Sequence, residues 1–314
     1  MEEKKDLAPI IVFCYDRIDV LKTTIATLST NTYADQSDLY VFCDGPQNES
    51  NKLKTDEVRL FVKGIQGFRQ LNIIESEVNK GLAPSVISGV SKVLETHDKV
   101  IVIEDDLILS TNFLAWMNET LEKYKDNEQV FSISGFCPHV QGLGDNYPYD
   151  GFFTQKAHSW GWATWRNRWE KVDWEVKDWN VFSQSKHLQK AFNSIGSEMS
   201  GLLFDQMSGR KSSWWVRFSY TQFKLGKMTL YPVLSKVIND GFTNEATHCN
   251  VYNRYRVDFD QTGKTGFELP KDTVCDEKLN KRFFYYYSVR ARIIGKIKTW
   301  LMKMGLISQY SIKP

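Results

Sequence analysis

Residues 9–136 alternate between short apolar runs and amphipathic stretches, and that alternation constrains the fold more than any other feature of this sequence. "PIIVFCY" (9–15), "DLYVFCDG" (38–45), "QLNIIESE" (70–77), "KVIVIE" (99–104) and "VFSISGF" (130–136) read as strands. Between the first two, "RIDVLKTTIATLSTN" sets Ile18, Leu21, Ile25 and Leu28 on one helical face. Residues 51–65, 81–97 and 111–127 read as further helices, the last capped by Thr111 or Asn112. Such alternation predicts an α/β fold, with a mostly parallel central sheet flanked by helices. Ligands of such sheets bind beyond the carboxyl ends of the strands. The polar residues there, Asp16–Arg17, Asp44–Gly45 and Glu104–Asp106, are therefore expected on one rim.

One of these ends is chemically awkward. Val100, Ile101, Val102 and Ile103 form a run of β-branched residues suited to burial on both faces, and Glu104, Asp105 and Asp106 follow directly. Adjacent carboxylates at the end of a core strand repel one another and resist desolvation. A divalent cation with oxygen ligands would offset that repulsion and could bridge to a diphosphate. An acidic helix start or a solvated acidic loop would also explain the residues, and composition alone does not separate the three readings.

The rest of the chain is less regular. "QGLGDNYPYDG" (141–151) reads as a loop, and "HSWGWATWRNRWEKVDWEVKDW" (158–179) is dense in Trp without clean periodicity. Most of the ten Trp lie between Trp160 and Trp215, where a hydrophobic subdomain core is the plainest reading. "SSWWVRFSYTQFKLG" reads as a helix and "KMTLYPVLSKVIN" as one extended segment. The tail from Glu277 mixes Lys and Arg with Phe, Tyr, Ile, Trp and Leu, and residues 278–314 hold no Asp or Glu. Such a basic amphipathic segment suits an anionic bilayer surface, or else a helix packed on the domain with a solvated basic face.

Several classes are not supported. Formal charge is near balance at +2, which offers no argument for nucleic acid. Cys14, Cys43, Cys137, Cys249 and Cys275 are widely spaced, odd in number and without a CxxC pair, so neither a zinc knuckle nor a disulfide framework is expected. The charged start "MEEKKDLAPI" does not resemble a signal peptide, and no run of 18 apolar residues occurs. A reducing, cytoplasmic setting is expected, with a peripheral place on the inner face of the plasma membrane open to the basic tail. No GxxxxGK[ST], GxGxxG or GxSxG motif is present, so a diphosphate would rest on a metal and on Arg or Lys.

"VFCYDR" after the first strand, "VFCDG" after the second and "VIVIEDDLILSTNFLAWMNETL" from the fourth resemble, in that order, GT-A glycosyltransferases. The likeness is to the N-acetylglucosaminyltransferase of N-glycan processing and to bacterial surface-polysaccharide transferases. "HSWGWATWRNRW" and "LYPVLSKVINDGFTNEATHC" look like segments of the bacterial group, so the resemblance spans about residues 8–250. It implies a GT-A domain over 1–250, with a nucleotide-binding part at 8–136 and an acceptor-side part at 137–250. Residues 251–314 would be a C-terminal extension carrying a basic amphipathic helix.

Residue by residue, the resemblance implies that Asp106 binds Mn2+ or Mg2+ and that Glu104 and Asp105 contact the ribose or donor sugar. Arg17 and Asp44 match nucleotide-contacting positions. His158, Trp160, Gly161 and Trp162 match a loop shaping the donor and acceptor pocket, and His248 is a further candidate for the diphosphate or metal. An inverting enzyme needs a carboxylate to deprotonate the acceptor. Where relatives carry Asp at a helix start, this chain has Ser212 and Ser213, which leaves Asp205 as the expected base and Asp240 and Glu245 as alternatives. The implied activity is transfer from a nucleotide sugar, a UDP-sugar such as UDP-GlcNAc, to a saccharide or lipid-linked acceptor in surface polysaccharide or glycoconjugate synthesis. A nucleotidyltransferase would show a Gly-rich loop where "CYDRIDV" stands. A non-catalytic glycan-binding protein is compatible with the Trp content and the missing Asp.

Overall fold

The computed structural model describes residues 6–143, 147–241, 252–254 and 256–308. The first half runs β1 (Ile10–Cys14), α1 (Ile18–Ser29), β2 (Asp38–Cys43), α2 (Glu49–Lys63), β3 (Gln70–Glu75), α3 (Leu82–Leu94) and β4 (Lys99–Glu104). Next come β5 (Leu107–Leu109), α4 (Phe113–Lys123), β6 (Val130–Ser134), β7 (Gly151–Thr154) and β8 (Trp162–Trp165). Helices α5 (Arg166–Trp169), α6 (Trp179–Gln184), α7 (Lys186–Phe192), α8 (Met199–Met207) and α9 (Trp214–Lys224) follow. The remainder is β9 (Met228–Pro232), β10 (Val237–Asn239), α10 (Glu277–Tyr285) and α11 (Val289–Lys303).

An eight-stranded sheet has the order β3–β2–β1–β4–β8–β6–β9–β7, and β5 pairs with β10 in a separate two-stranded sheet. Strands β3, β2, β1 and β4 are mutually parallel, as are β6 and β9, while β8 and β7 run antiparallel to their neighbours. The sheet is thus mostly parallel and flanked by helices, as the alternation predicts. Successive strand residues feed opposite cores. Ile10, Val12, Ile101 and Ile103 pack with Leu21, Ile25 and Leu28 of α1 and with Phe113 and Leu114 of α4. Ile11, Phe13, Val100 and Val102 pack with Val86 and Val90 of α3 and with Trp214 and Phe218 of α9. That two-sided burial is why these strands read as unbroken apolar runs.

Strands on either side of residue 137 share this sheet. The chain after residue 256 is also sewn onto it. Tyr124 donates its hydroxyl to the Pro270 carbonyl at 2.7 Å, and Phe283 of α10 packs on Tyr231 and Phe152 at ring distances of 4.9 and 5.8 Å. Burying a ring of that size contributes about 2 kcal/mol.

Three local readings change. The Trp-rich stretch supplies β8, inserted between β4 and β6; its four residues are buried on both faces and leave no period to detect. The segment read as one extended piece splits after Pro232, which has no N–H to continue a ladder, into β9 of the large sheet and β10 of the small one. Asn112 occupies the cap position of α4 but makes no cap bond. Its amide instead donates to Asp260 and to the Lys264 carbonyl.

Candidate active site

The parallel strands deliver Asp16–Arg17, Asp44 and Glu104–Asp106 to one edge of the sheet. Strand β8 runs antiparallel to β4 with Trp162 opposite Val102, so Gly161 and Trp160 lie toward the end where Glu104 emerges. After Glu104 the chain turns sharply into β5, and α1 holds that turn. Thr24 donates its hydroxyl to the Asp105 carbonyl at 2.8 Å and accepts the Leu107 N–H at 3.1 Å. Thr27 accepts the Leu109 N–H at 3.2 Å. Thr24 is a polar residue on the face that buries Leu21, Ile25 and Leu28, which is its only trace in the sequence.

Asp105 and Asp106 are buried and Glu104 is half-buried. The Arg17 guanidinium donates to both aspartates, reaching Asp106 Oδ2 at 2.9 Å. Asn239 donates to Asp106 Oδ1 at 3.2 Å, and the Asp240 N–H donates to the Asp106 carbonyl at 2.8 Å. Gly241 lies so close to the Asp106 carboxylate that any Cβ there would collide with it. The segment Asn239–Gly241 therefore completes the wall around Asp106, a role the sequence reading did not give to Asn239 or Gly241.

The electrostatics are lopsided. Burial, followed by the charges of Asp106 and Asp105, raises the Glu104 pKa well above the carboxylate range. Burial lifts Asp105 to about 7, with Arg17 opposing and Asp106 adding to the shift. Burial disfavours the Arg17 charge, but Asp105 and Asp106 outweigh it and hold the guanidinium protonated. Asp240 is solvent-accessible, and partial desolvation together with the Asp106 charge raises its pKa. Among the described residues, the triplet's ion pairs all come from Arg17.

The donor set is oxygen throughout, which suits Mn2+ or Mg2+. Among the described residues, no three His, Cys, Asp or Glu side chains gather to hold an ion alone. The chemistry fits a cation that keeps waters and takes phosphate oxygens as its remaining ligands. Asp106, with Glu104 beside it, is the group that would hold such an ion. His248 and Glu245 lie outside the described residues.

The other expected site residues lie as follows. Asp44 accepts the N–H groups of Gly45, Lys80 and Gly81, each at 2.9 Å, and so ties the loop after β2 to the start of α3. His158 stacks on Phe136 at 4.2 Å, and its Nδ1 accepts the Trp160 N–H at 3.3 Å. Burial and nearby Lys156 push the His158 pKa well down, so the ring is neutral. Gly161 has φ +60° and accepts the Gly135 N–H at 2.7 Å, with Phe113 and Val237 against its open side. Trp162 is sealed in the core, stacked on Trp214 at 4.7 Å and on Trp169 at 5.8 Å, so its indole lines no cavity. Asp205 sits on α8 with Arg210 at 2.8 Å and Lys211 at 3.5 Å; these cations lower its pKa, Arg210 most, and weaken it as a base. Ser213 caps α9 by accepting the Val216 N–H.

No family model and no curated protein matches the sequence. Among solved structures, the chain is similar to the mannosyltransferase PcManGT from Pyrobaculum calidifontis in complex with GDP-Man and Mn2+. That match has a TM-score of 0.35 and 15% identity over 53% of this chain and 49% of that one. S. aureus TarS matches with a TM-score of 0.31 and 13% identity over 46% of this chain and 24% of that one. The matches thus span about half and about a quarter of those proteins. At such low scores neither likeness bears on the roles of individual residues.

Proposed function

We propose that this chain is a metal-dependent glycosyltransferase of the GT-A type. It would move a sugar from a nucleotide donor, UDP-linked, to a saccharide or lipid-linked acceptor in surface polysaccharide or glycoconjugate synthesis. The observation that carries this reading is the surplus of carboxyl groups at the end of β4, where Glu104, Asp105 and Asp106 converge and Arg17 pairs with the two aspartates. A nucleotide-sugar donor with a divalent cation, the combination present in the Pyrobaculum mannosyltransferase structure, is the ligand chemistry that such a rim suits.

In this reading Asp106 and Glu104 hold Mn2+ or Mg2+, and Arg17 orients Asp105 and Asp106. Neutralising the diphosphate as it leaves is the chemistry the ion would supply. Asp44 keeps the loops after β2 and β3 in register beside the nucleotide, while Trp160 and Gly161 border the donor sugar. A carboxylate takes the acceptor proton in a single displacement that inverts the anomeric centre. Asp240 is favoured for that step over Asp205. Its raised pKa makes it the stronger base, and it adjoins the triplet, whereas Asp205 is pinned between two cations.

Turnover with a panel of nucleotide sugars and Mn2+ tests the assignment. Release of nucleoside diphosphate that is lost in Asp106→Asn is the expected result. Pyrophosphate release from a nucleoside triphosphate would instead identify a nucleotidyltransferase, and saccharide binding without nucleotide release a glycan-binding protein. Asp240→Asn and Asp205→Asn then locate the base: the true one abolishes transfer while leaving donor affinity intact.

A further inference from the structure

Helix α11 is oriented opposite to an ordinary surface helix. Of its 15 residues only Gly295 is buried. The face turned to the protein carries small residues: the Tyr252 N–H donates to Thr299 Oγ1 at 3.1 Å, and the Arg254 side chain runs beside Gly295. Lys298 lies over the Tyr252 ring at 4.9 Å, and Arg292 reaches Ser197 at 3.4 Å. Val289, Ile293, Ile297, Trp300 and Met304 follow helical spacing on the opposite arc, and each is between 52% and 59% exposed. Leu306 continues the apolar surface.

Charge on this helix has one sign. Arg290 flanks the apolar arc on one side, and Lys296, Lys303 and Arg292 flank it on the other. Residues 278–314 contain no acidic side chain. Among the described residues, no helix is long and apolar enough to cross a membrane. At 1.5 Å per residue, α11 presents a stripe about 22 Å long, a shape for lying along a surface.

We propose that α11 is a docking surface for an anionic lipid bilayer. Its apolar arc enters the acyl boundary, and Arg290, Lys296 and Lys303 lie at the level of the phosphates. Trp300 suits that boundary, with an apolar ring and a donor N–H. Charge complementarity selects this occupant over a second copy of the chain. A two-fold pairing of α11 would set the same cations against one another, at a cost that lipid phosphates avoid. The contacts that seat α11, to Ser197, Tyr252 and Arg254, share no residue with the rim that carries the proposed reaction, so the two readings stand or fall independently.

Co-sedimentation of the full chain with vesicles of phosphatidylcholine alone, and of phosphatidylcholine with phosphatidylglycerol at about 3:1, tests the proposal. Binding to the anionic vesicles is expected to be about tenfold stronger than to the neutral ones and to weaken with added salt. The double variant Ile297→Asp/Trp300→Asp should lose at least about tenfold in bound fraction with an unchanged unfolding curve, since both side chains face solvent. Arg290→Gln/Lys296→Gln/Lys303→Gln should erase the preference for anionic lipid. No binding to anionic vesicles, or undiminished binding by the Ile297/Trp300 variant, would overturn the proposal. So would a dimer in sedimentation equilibrium that the Ile297/Trp300 variant dissolves while the wild type ignores vesicles.

Discussion

Two buried charge clusters in this protein solve the same problem in opposite ways. At the first, Lys236 is ion-paired to Asp260 with both side chains nearly inaccessible. Asn112 donates to Asp260 at 2.9 Å, the Thr262 N–H at 2.8 Å and the Thr262 hydroxyl at 2.6 Å. The Lys236 ammonium lies over the Phe267 and Trp116 rings at 5.0 and 5.6 Å. Burial would raise the Asp260 pKa, but these donors, Lys236 first, bring it down to about 2. At the second, Asp105 and Asp106 share Arg17 while Glu104 stands beside them without an ion pair to it, and burial raises both Glu104 and Asp105. A cluster whose charges are fully matched fastens the chain after residue 256 to α4. A cluster left with excess acid is prepared for something that binds.

The contrast breaks first under substitution. Asp260→Ala leaves Lys236 buried without its counter-charge and should cost about 3–5 kcal/mol in denaturant unfolding. Asp106→Asn should slow donor turnover by about 10³-fold, the equivalent of several kcal/mol of charge stabilisation. Its unfolding free energy should stay within about 1 kcal/mol of wild type, because removing one of several like charges relieves repulsion as it weakens the Arg17 pair. Comparable losses of stability in the two variants would erase the distinction between the clusters.

Smaller effects sharpen it. Mn2+ at about 100 times its dissociation constant should stabilise the wild type by about 2.7 kcal/mol, read as a rise in the thermal midpoint. Asp106→Asn should abolish that rise, whereas Asp260→Ala should retain it from a lower baseline. The pH responses should run in opposite directions. Asp260 has a folded pKa of about 2, below the unfolded value near 3.9, so its contribution is present above about pH 4 and is lost as pH falls toward 2. Asp105 is raised to about 7, so its contribution is present below about pH 4 and is lost as pH climbs to 7. Without Mn2+, the stability difference between wild type and Asp105→Asn should therefore shift against the wild type from pH 5 to 7. The expected slope is on the order of 1 kcal/mol per pH unit.

Much of this architecture is legible locally. The runs at 9–15 and 99–104 are strands because β-branched residues that feed two cores leave an unbroken apolar signature, while 38–45 alternates buried and half-buried apolar residues. The acidic triplet stands out because three adjacent carboxylates at the end of such a run repel one another and resist desolvation. Less of the surrounding wall can be read that way. Asn239, Asp240 and Gly241 reach Asp106 only because β10 pairs with β5, a contact between segments about 130 residues apart. β8 was hidden for the same reason, since Trp162 packs on α9 and α5 and Trp165 on the opposite core, so all four of its residues are buried.

By itself, the sequence determined the alternating α/β order, the convergence of strand ends on one rim and the surplus of acid there, because each depends on neighbours along the chain. Only the tertiary structure decided which groups answer that charge. Arg17 turns onto Asp105 and Asp106, while Asp205 is taken up by Arg210 and Lys211. The tail shows the same division. Its basic, apolar composition is plain in the letters, yet a packed helix and a surface helix share it. Small residues at 291, 295 and 299 let α11 seat on the protein by its narrow face, and that contact turns its apolar arc outward.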